Sequence, residues 1–427
     1  WVYDGIDEAG YGLARWDKDI YVNAGGSIQR AIDLAEEGDT IHVQAGTYIE
    51  ALTIDKPLTL LGPNADINPN TGTRVAEAVI QYPTGLEVDT DLVSIAANGV
   101  TIKGFELDGK DLDATLWGYG IYSEGDNLTV QNNIVQNFRQ VGIISGTGYS
   151  GPFWSGALIE NNKVTTTDPK NFFYTYSGIY VQGTTGIVRG NVVDSAYRGI
   201  QVQPYTNPST VQGVVENNTF NAFGSGLYFN YSESEASDWL FQNNVINGIA
   251  QMGNPFYNYF AGITVQTFDF GNVVFLHNQV NLGAANAENN YLYYELAPIG
   301  SGSTRTAVEN WWGSILGPAA GKIVGNVATS PWCGDSECSF LVYQDEPPAD
   351  GGLYLSEGEI HVSGNVSIPD GIILETPHVK IVLDNGAVIQ NASPCFVIDA
   401  DFVTIMGSGA QATCVPTQGA NGIDVAA

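Results

Sequence analysis

The stretch Asn191-Val192-Val193-Asp194-Ser195-Ala196-Tyr197-Arg198-Gly199-Ile200-Gln201-Val202 holds the two signals that decide the fold: an Asn that opens a short apolar run, and a Gly that opens an alternating one. Both recur. Gly openings stand at Gly120-Ile121, Gly142-Ile143, Gly178-Ile179-Tyr180-Val181, Gly226-Leu227-Tyr228-Phe229 and Gly262-Ile263-Thr264-Val265. Asn openings stand at Asn133, Asn162, Asn191, Asn218, Asn244 and Asn278, at steps of 29, 29, 27, 26 and 34 residues. Near-regular steps that each hold brief strands mean stacked coils. The expected fold is all-β, a right-handed parallel β-helix. Asn tolerates the left-handed backbone of a sharp corner, and an Asn at the same corner of every coil can bond to the next. These six Asn are therefore expected to form a structural ladder.

Upstream of the repeats, Ser27 is an N-cap for a helix whose apolar positions Ile28, Ala31, Ile32 and Ala35 keep helical spacing, with Gly38 as its stop. Three β-type runs follow, Thr40 to Val43, Leu52 to Ile54 and Leu58 to Leu61, with a turn at Ala45-Gly46-Thr47. A short amphipathic helix feeding brief strands is how a stack covers its first coil. Downstream, the pattern lapses between about Gly283 and Pro348, and strands return after Gly352, as in Lys380 to Leu383 and Phe402 to Ile405. The expected organisation is an extended segment over 1–24, a capped β-helix over 25–282, an irregular connection over 283–349, and a second short β-helical unit over 350–427. Gly422-Ile423-Asp424-Val425 opens a further coil. The protein is thus expected to continue beyond Ala427, or to be completed there by another copy of itself.

Composition agrees with a buried, turn-rich sequence: of 427 residues 51 are Gly, 44% are hydrophobic and only 14% charged. Lys and Arg total 15 against 46 Asp and Glu, a formal charge of -31, which repels phosphate backbones and anionic headgroups. Nucleic acid is excluded as a partner. No run of ~20 apolar residues offers a membrane span. The four cysteines fall into two local pairs, Cys333 with Cys338 and Cys395 with Cys414. Neither has zinc-site spacing, so two disulfides and an extracellular or cell-surface location are expected.

Insertions at Thr147 to Ser155, Asp168 to Thr175 and Gln251 to Tyr259 are rich in Tyr, Phe, Trp and Pro. In a solenoid such insertions collect on one face and often make the binding surface. Calcium is the one ion worth carrying. Asn64, Asp66 and Asn68 in one loop, and Asp108, Asp111 and Asp113 in another, place several oxygens within a few residues, although neither loop matches an EF-hand. No organic cofactor is implied. Gly146-Thr147-Gly148-Tyr149-Ser150-Gly151 matches a dinucleotide fingerprint by letter, but Pro152-Phe153-Trp154 follows it instead of a helix. His42, His277, His361 and His378 are scattered, which suits strand and turn positions and not a triad or a histidine metal site. Glycosylation sequons stand at Asn127, Asn217, Asn230, Asn365 and Asn391.

The segment Ser27 to Gly62, the coil repeats, Asn70-Thr71-Gly72-Thr73-Arg74 and Asn310-Trp311-Trp312-Gly313 resemble secreted bacterial and archaeal proteins of the pectin-lyase-like superfamily. Within it, the likeness is to the repeat proteins grouped as parallel β-helix or NosD-like, which are often parts of large cell-surface proteins. That resemblance implies a fold and leaves activity open, because the superfamily holds lyases, hydrolases, esterases, epimerases, adhesins and structural proteins. The hydrolase signatures Asn-Thr-Asp, Asp-Asp and Gly-His-Gly do not occur. Arg139, Arg189 and Arg198 lie in separate coils, which leaves a lyase site unsupported. Phe268-Asp269-Phe270-Gly271-Asn272 is similar to a pectin methylesterase motif, which makes Asp269 the sole catalytic candidate, but the partner motifs are absent in that order. Two function classes follow. The first is a non-catalytic surface protein of a layer, sheath, filament or adhesin, contacting glycans through its aromatic insertions and joined to copies of itself or to further repeats. The alternative is a polysaccharide-active enzyme.

Overall fold

The computed structural model describes residues 13–110, 116–138, 140–146, 155–166, 177–183, 185–203, 213–221, 225–230, 239–247, 261–267, 273–281, 290–296, 305–325, 327–392, 394–407, 413–416 and 423–425. The protein divides into two compact units. One is built on residues 1–273, and the other holds 274–282 and 301–427, with short pieces of 283–300 shared between them.

The first unit is a parallel β-helix, right-handed as strand crossovers are. Each coil contributes a strand to three sheets in turn. Successive strands of the first sheet are Thr40–Val43, Thr59–Leu61, Thr101–Lys103, Thr129–Gln131, Ala157–Glu160, Gly186–Arg189, Gly213–Glu216 and Trp239–Gln242. The register puts Ile41, Leu60, Ile102, Val130, Ile159, Val188, Val215 and Phe241 in one inward line. The second sheet runs from Gly46–Ile49 to Val245–Asn247, and the third from Leu52–Ile54 to Ala261–Thr267. Strand neighbours lie ~4.8 Å apart, so each buried Val, Ile or Leu packs on its counterpart above and below. Burial of each such side chain stabilises by about 1.5–3 kcal/mol. Gly46, read as part of a turn, instead opens a strand, because its backbone pairs with Ala78 of the next coil.

The helix is Ile28–Leu34, shorter than its apolar spacing suggests: Ala35 is already extended, and Gly38, at φ +82, belongs to the following turn. Ser27 caps it by accepting from the Arg30 N–H at 3.1 Å. Glu50 completes the cap, accepting from the Ser27 hydroxyl and the N–H groups of Ile28 and Gln29. A carboxylate here satisfies orphan donors at the positive end of the helix dipole. Ile28, Ala31 and Ile32 are buried. Upstream, Leu13–Trp16 and Asp19–Val22 form an antiparallel hairpin that adds to the first sheet alongside Thr40–Val43.

The Asn ladder runs through the corner between the first and second sheets. The N–H and Nδ2 of Asn133 both donate to Oδ1 of Asn162, and Asn162 does the same to Asn191, Asn191 to Asn218, and Asn218 to Asn244. All five are fully buried. The left-handed residue is not the ladder Asn but the one before it, Asn132, Asn161, Gly190, Asn217 or Asn243. One residue bends the backbone and the next supplies the bonds. In the second unit His277 (φ +54) precedes Asn278, whose two donors reach Oδ1 of Asn310, a ladder member that the spacing alone did not reveal.

The recurrent Gly has a steric cause. A Cβ at Gly178 would stand 2.2 Å from Val193 Cγ1, one at Gly199 2.5 Å from the Phe220 ring, and one at Gly226 2.7 Å from Ile246. Core side chains of the second sheet occupy the space a side chain would need.

The segment between Gly62 and Glu77 lies along the same corner as the ladder. Arg74 pairs with Glu77 and donates to the carbonyl of Asn132, Asn132 Nδ2 donates to Ala65 O, and Asn70 Nδ2 reaches the carbonyls of Asn162 and Gly190. One loop thereby ties itself to three later coils.

The second unit repeats the plan on a smaller scale. A hairpin, Gly351–Ser356 with Glu359–Ser367, leads into parallel strands Lys380–Leu383 and Thr404–Gly407, with Val388–Ala392 and Thr413–Pro416 beside the end of the hairpin. Ile372–Leu374, Phe396–Ile398 and Ile423–Val425 form its third parallel sheet.

Candidate functional site

The outer face of the third sheet carries the chemistry of the first unit. Alternation turns one residue of each strand outward, and the register lines up Ser94, Tyr122, Ile144, Tyr180, Gln201 and Tyr228. Two of the three aromatic insertions read from the sequence lead into or out of this sheet at 147–155 and 168–175, and the third leads into it at 251–259. Apart from Ser155 they lie outside the described residues.

Between Val141 and Phe229 this face is a buried aromatic and amide layer. The Tyr180 hydroxyl donates to Gln203 Oε1 and accepts from Gln182 Nε2. Arg198 stacks its guanidinium 3.8 Å from the centroid of Tyr228 and donates to Gln201 Oε1 at 2.7 Å, which also accepts from the Ser177 hydroxyl. A cation on a tyrosine face, held by an amide, keeps a fixed direction. Arg189 and Arg198, read from the sequence as lying in separate coils, share one, because Gly186–Arg189, Val192–Asp194 and Arg198–Gln203 are the three successive strands of a single coil. Val141 and Ile144 pack against Tyr180.

Towards the helix the face opens. Tyr119 and Tyr122 stack with centroids 5.6 Å apart, and Trp117 is 40% exposed. Carboxylates surround them. Glu124 accepts from the Tyr122 hydroxyl at 2.6 Å, Asp91 from the Tyr119 N–H at 3.0 Å, and Asp89 from the Trp117 N–H at 2.7 Å. Burial pushes the Asp91 carboxyl above its ordinary value; the charges of Asp89 and Glu124 add to this, and the Tyr119 N–H opposes it. Burial also raises the Tyr122 phenol, assisted by its bond to Glu124, so it stays a neutral donor. Aromatic faces beside hydroxyl-accepting carboxylates suit the mixed apolar and hydroxyl surface of a sugar ring. Sequence reasoning missed these residues, although the outward parity of Tyr122, Tyr180 and Tyr228 stands in the repeats themselves.

In the two loops expected to hold calcium, Asn64, Asn68 and Asp108 make hydrogen bonds within the fold. Asn64, fully buried, accepts from the Val75 N–H and donates to Val75 O and Glu77, and Asn68 accepts from the Asn70 N–H, while Asp66 is exposed. Asp108 bonds Gln81 and Asn137 and lies 3.4 Å from the Lys110 ammonium. Asp111, Asp113 and the catalytic candidate Asp269 lie outside the described residues. Among the described residues no three His, Cys, Asp or Glu gather as a metal set. A disulfide joins Cys333 and Cys338. Cys395 is buried and disulfide-bonded, and the side chain of Cys414 is not among those described. The histidines serve neighbouring strands: His42 pairs with Asp19, His277 with Glu309 and His361 with Asp384, and His378 stacks on Phe402. Among the described residues no helix is long and apolar enough to cross a membrane.

Residues 91–281 match the family model described as right handed beta helix region. No curated protein matches the sequence. Among solved structures, an alginate lyase from Paenibacillus sp. is 17% identical, with a TM-score of 0.43 over 73% of this chain and 98% of its own. A mannuronan C-5 epimerase A-module from Azotobacter vinelandii is 12% identical, with a TM-score of 0.26 over 94% of each chain. A tailspike protein of an Acinetobacter baumannii phage is 11% identical, with a TM-score of 0.32 over 88% of this chain and 51% of its own.

Proposed function

We propose that this protein is a non-catalytic β-helix of the cell surface or extracellular space that contacts glycans through the outer face of its third sheet. The observation that carries the reading is the stacked Tyr119–Tyr122 pair with Trp117 at its side and the Glu124 and Asp91 carboxylates beside it. A pyranose can lay its C–H face on such rings while its hydroxyls donate to the carboxylates. The disulfides support an oxidising compartment. The acidic surface favours neutral over polyanionic glycans.

Affinity electrophoresis against neutral and acidic polysaccharides, with wild type, Trp117→Ala and Tyr122→Ala, tests the proposal. Retardation by at least one polysaccharide is expected, and it should weaken about tenfold in Tyr122→Ala, the loss of one good aromatic contact. Circular dichroism melts would show whether that variant keeps its fold. Absence of retardation across the panel would refute glycan contact. Reducing-end or unsaturated product released by wild type, and abolished in Asp269→Asn, would replace this reading with the enzymatic one.

A further inference from the structure

The dipeptide Asn-Gly occurs four times, at Asn98-Gly99, Asn247-Gly248, Asn385-Gly386 and Asn421-Gly422; the first and third lie wholly within the described residues, and both are exposed. The two differ in what holds them. In the first unit the neighbouring coil clamps both groups that could react: Asp126 donates its N–H to Asn98 Oδ1 at 2.8 Å, and its carbonyl accepts the Gly99 N–H at 2.8 Å. In the second unit Asn385 and Gly386 occupy the tip of a turn closed by the Ala387 N–H on Asp384 O, with Gly386 at φ +85. Among the described residues, neither the amide of Asn385 nor the Gly386 N–H has a hydrogen-bond partner, and the space beside Gly386 is open.

We infer that Asn385 is a site of spontaneous deamidation, and that the stacking of coils protects Asn98 from the same reaction. The Gly386 nitrogen, on losing its proton to solvent base, attacks Asn385 Cγ. A bond forms between that nitrogen and Cγ, the bond between Cγ and Nδ2 breaks, and Nδ2 takes up a proton from water and leaves as ammonia. Water then opens the five-membered succinimide at either carbonyl, giving aspartate or isoaspartate. Glycine favours the step because no Cβ obstructs the approach of its nitrogen. The product carries a new negative charge one residue from Asp384, which accepts from Tyr354 and pairs with His361. The isoaspartate form also lengthens the backbone at that point.

The test is peptide mapping by mass spectrometry, with isoaspartate detection, of the whole 427-residue protein aged at mildly alkaline pH. Asn385 is expected to convert at least about tenfold faster than Asn98, because two hydrogen bonds must open before Asn98 can react. In protein aged in denaturant the two rates should converge, and Gly386→Ala should slow conversion at 385 alone. Native Asn98 converting as fast as Asn385, Asn385 staying intact in native protein while it converts in denaturant, or a rate difference that persists in denaturant would each overturn the inference.

Discussion

Asp91 shows how a single carboxyl sets a pH dependence. Its folded-state value is raised, first by burial and then by Asp89 and Glu124. Below the ordinary carboxylate range it is protonated in both states and costs the fold nothing. As pH rises from that range to the raised value, the unfolded state loses its proton first, so stability falls across the window and stays lower above it. Asp91→Asn keeps an Oδ1 acceptor for the Tyr119 N–H and removes the charge. The variant is expected to match wild type in thermal melts at acid pH and to melt higher at neutral pH; equal midpoints at both would remove the burial argument. At this scale the sequence was only partly legible. The outward positions of Tyr122 and Tyr228 can be counted from their strands, but the seat of Arg198 on Tyr228 depends on cross-coil register, which insertions of unequal length conceal.

Among elements, the buried ladder can be set against an exposed one. Asn191→Ala would strip the acceptor from both donors of Asn162 and the donor from Ile159 O, all fully buried. Unsatisfied buried groups cost ~1–3 kcal/mol each, so urea denaturation should show a loss of about 3 kcal/mol or more. Asn221 also bonds its neighbours, Asp194 and Asn247, but on an exposed face. Its replacement by Ala should change stability by less than about 0.5 kcal/mol. Equal effects would mean that burial does not distinguish the two ladders. The coils were legible because the buried bond demands Asn once per turn, and the structure repeats it at separations of 29, 29, 27 and 26 residues. The corner was less so, since Asn132, Gly190 and His277 all bend the backbone and leave no single-letter signature. Asn310 escaped although it follows Asn278 by 32 residues, within the range of the accepted steps, because Trp311-Trp312-Gly313 and not a β-type run follows it. Gly46 misled because a glycine within a strand looks the same as one within a turn.

For the whole molecule the governing quantity is a charge of -31. Cross-strand pairing moderates it locally: on the first sheet Gln131 donates to Glu160, which also binds Arg189, and Gln242 donates to Glu216. Repulsion elsewhere remains open to screening, so added sodium chloride should raise the thermal midpoint. Calcium should raise it over chelator, and sodium at matched ionic strength should reproduce most of that gain, because Asn64 and Asn68 already accept backbone hydrogen bonds. A large calcium-specific increment would assign the loops as ion sites. The loop that ties Arg74 and Asn70 to Asn132, Asn162 and Gly190 has a mechanical consequence as well. Under tension a stack of coils can peel turn by turn, each rupture releasing roughly 100 Å of backbone for a coil of about 29 residues. Stitched across its early coils, this one should resist as a block there, yielding in a single long rip at high force before the later turns come away one by one.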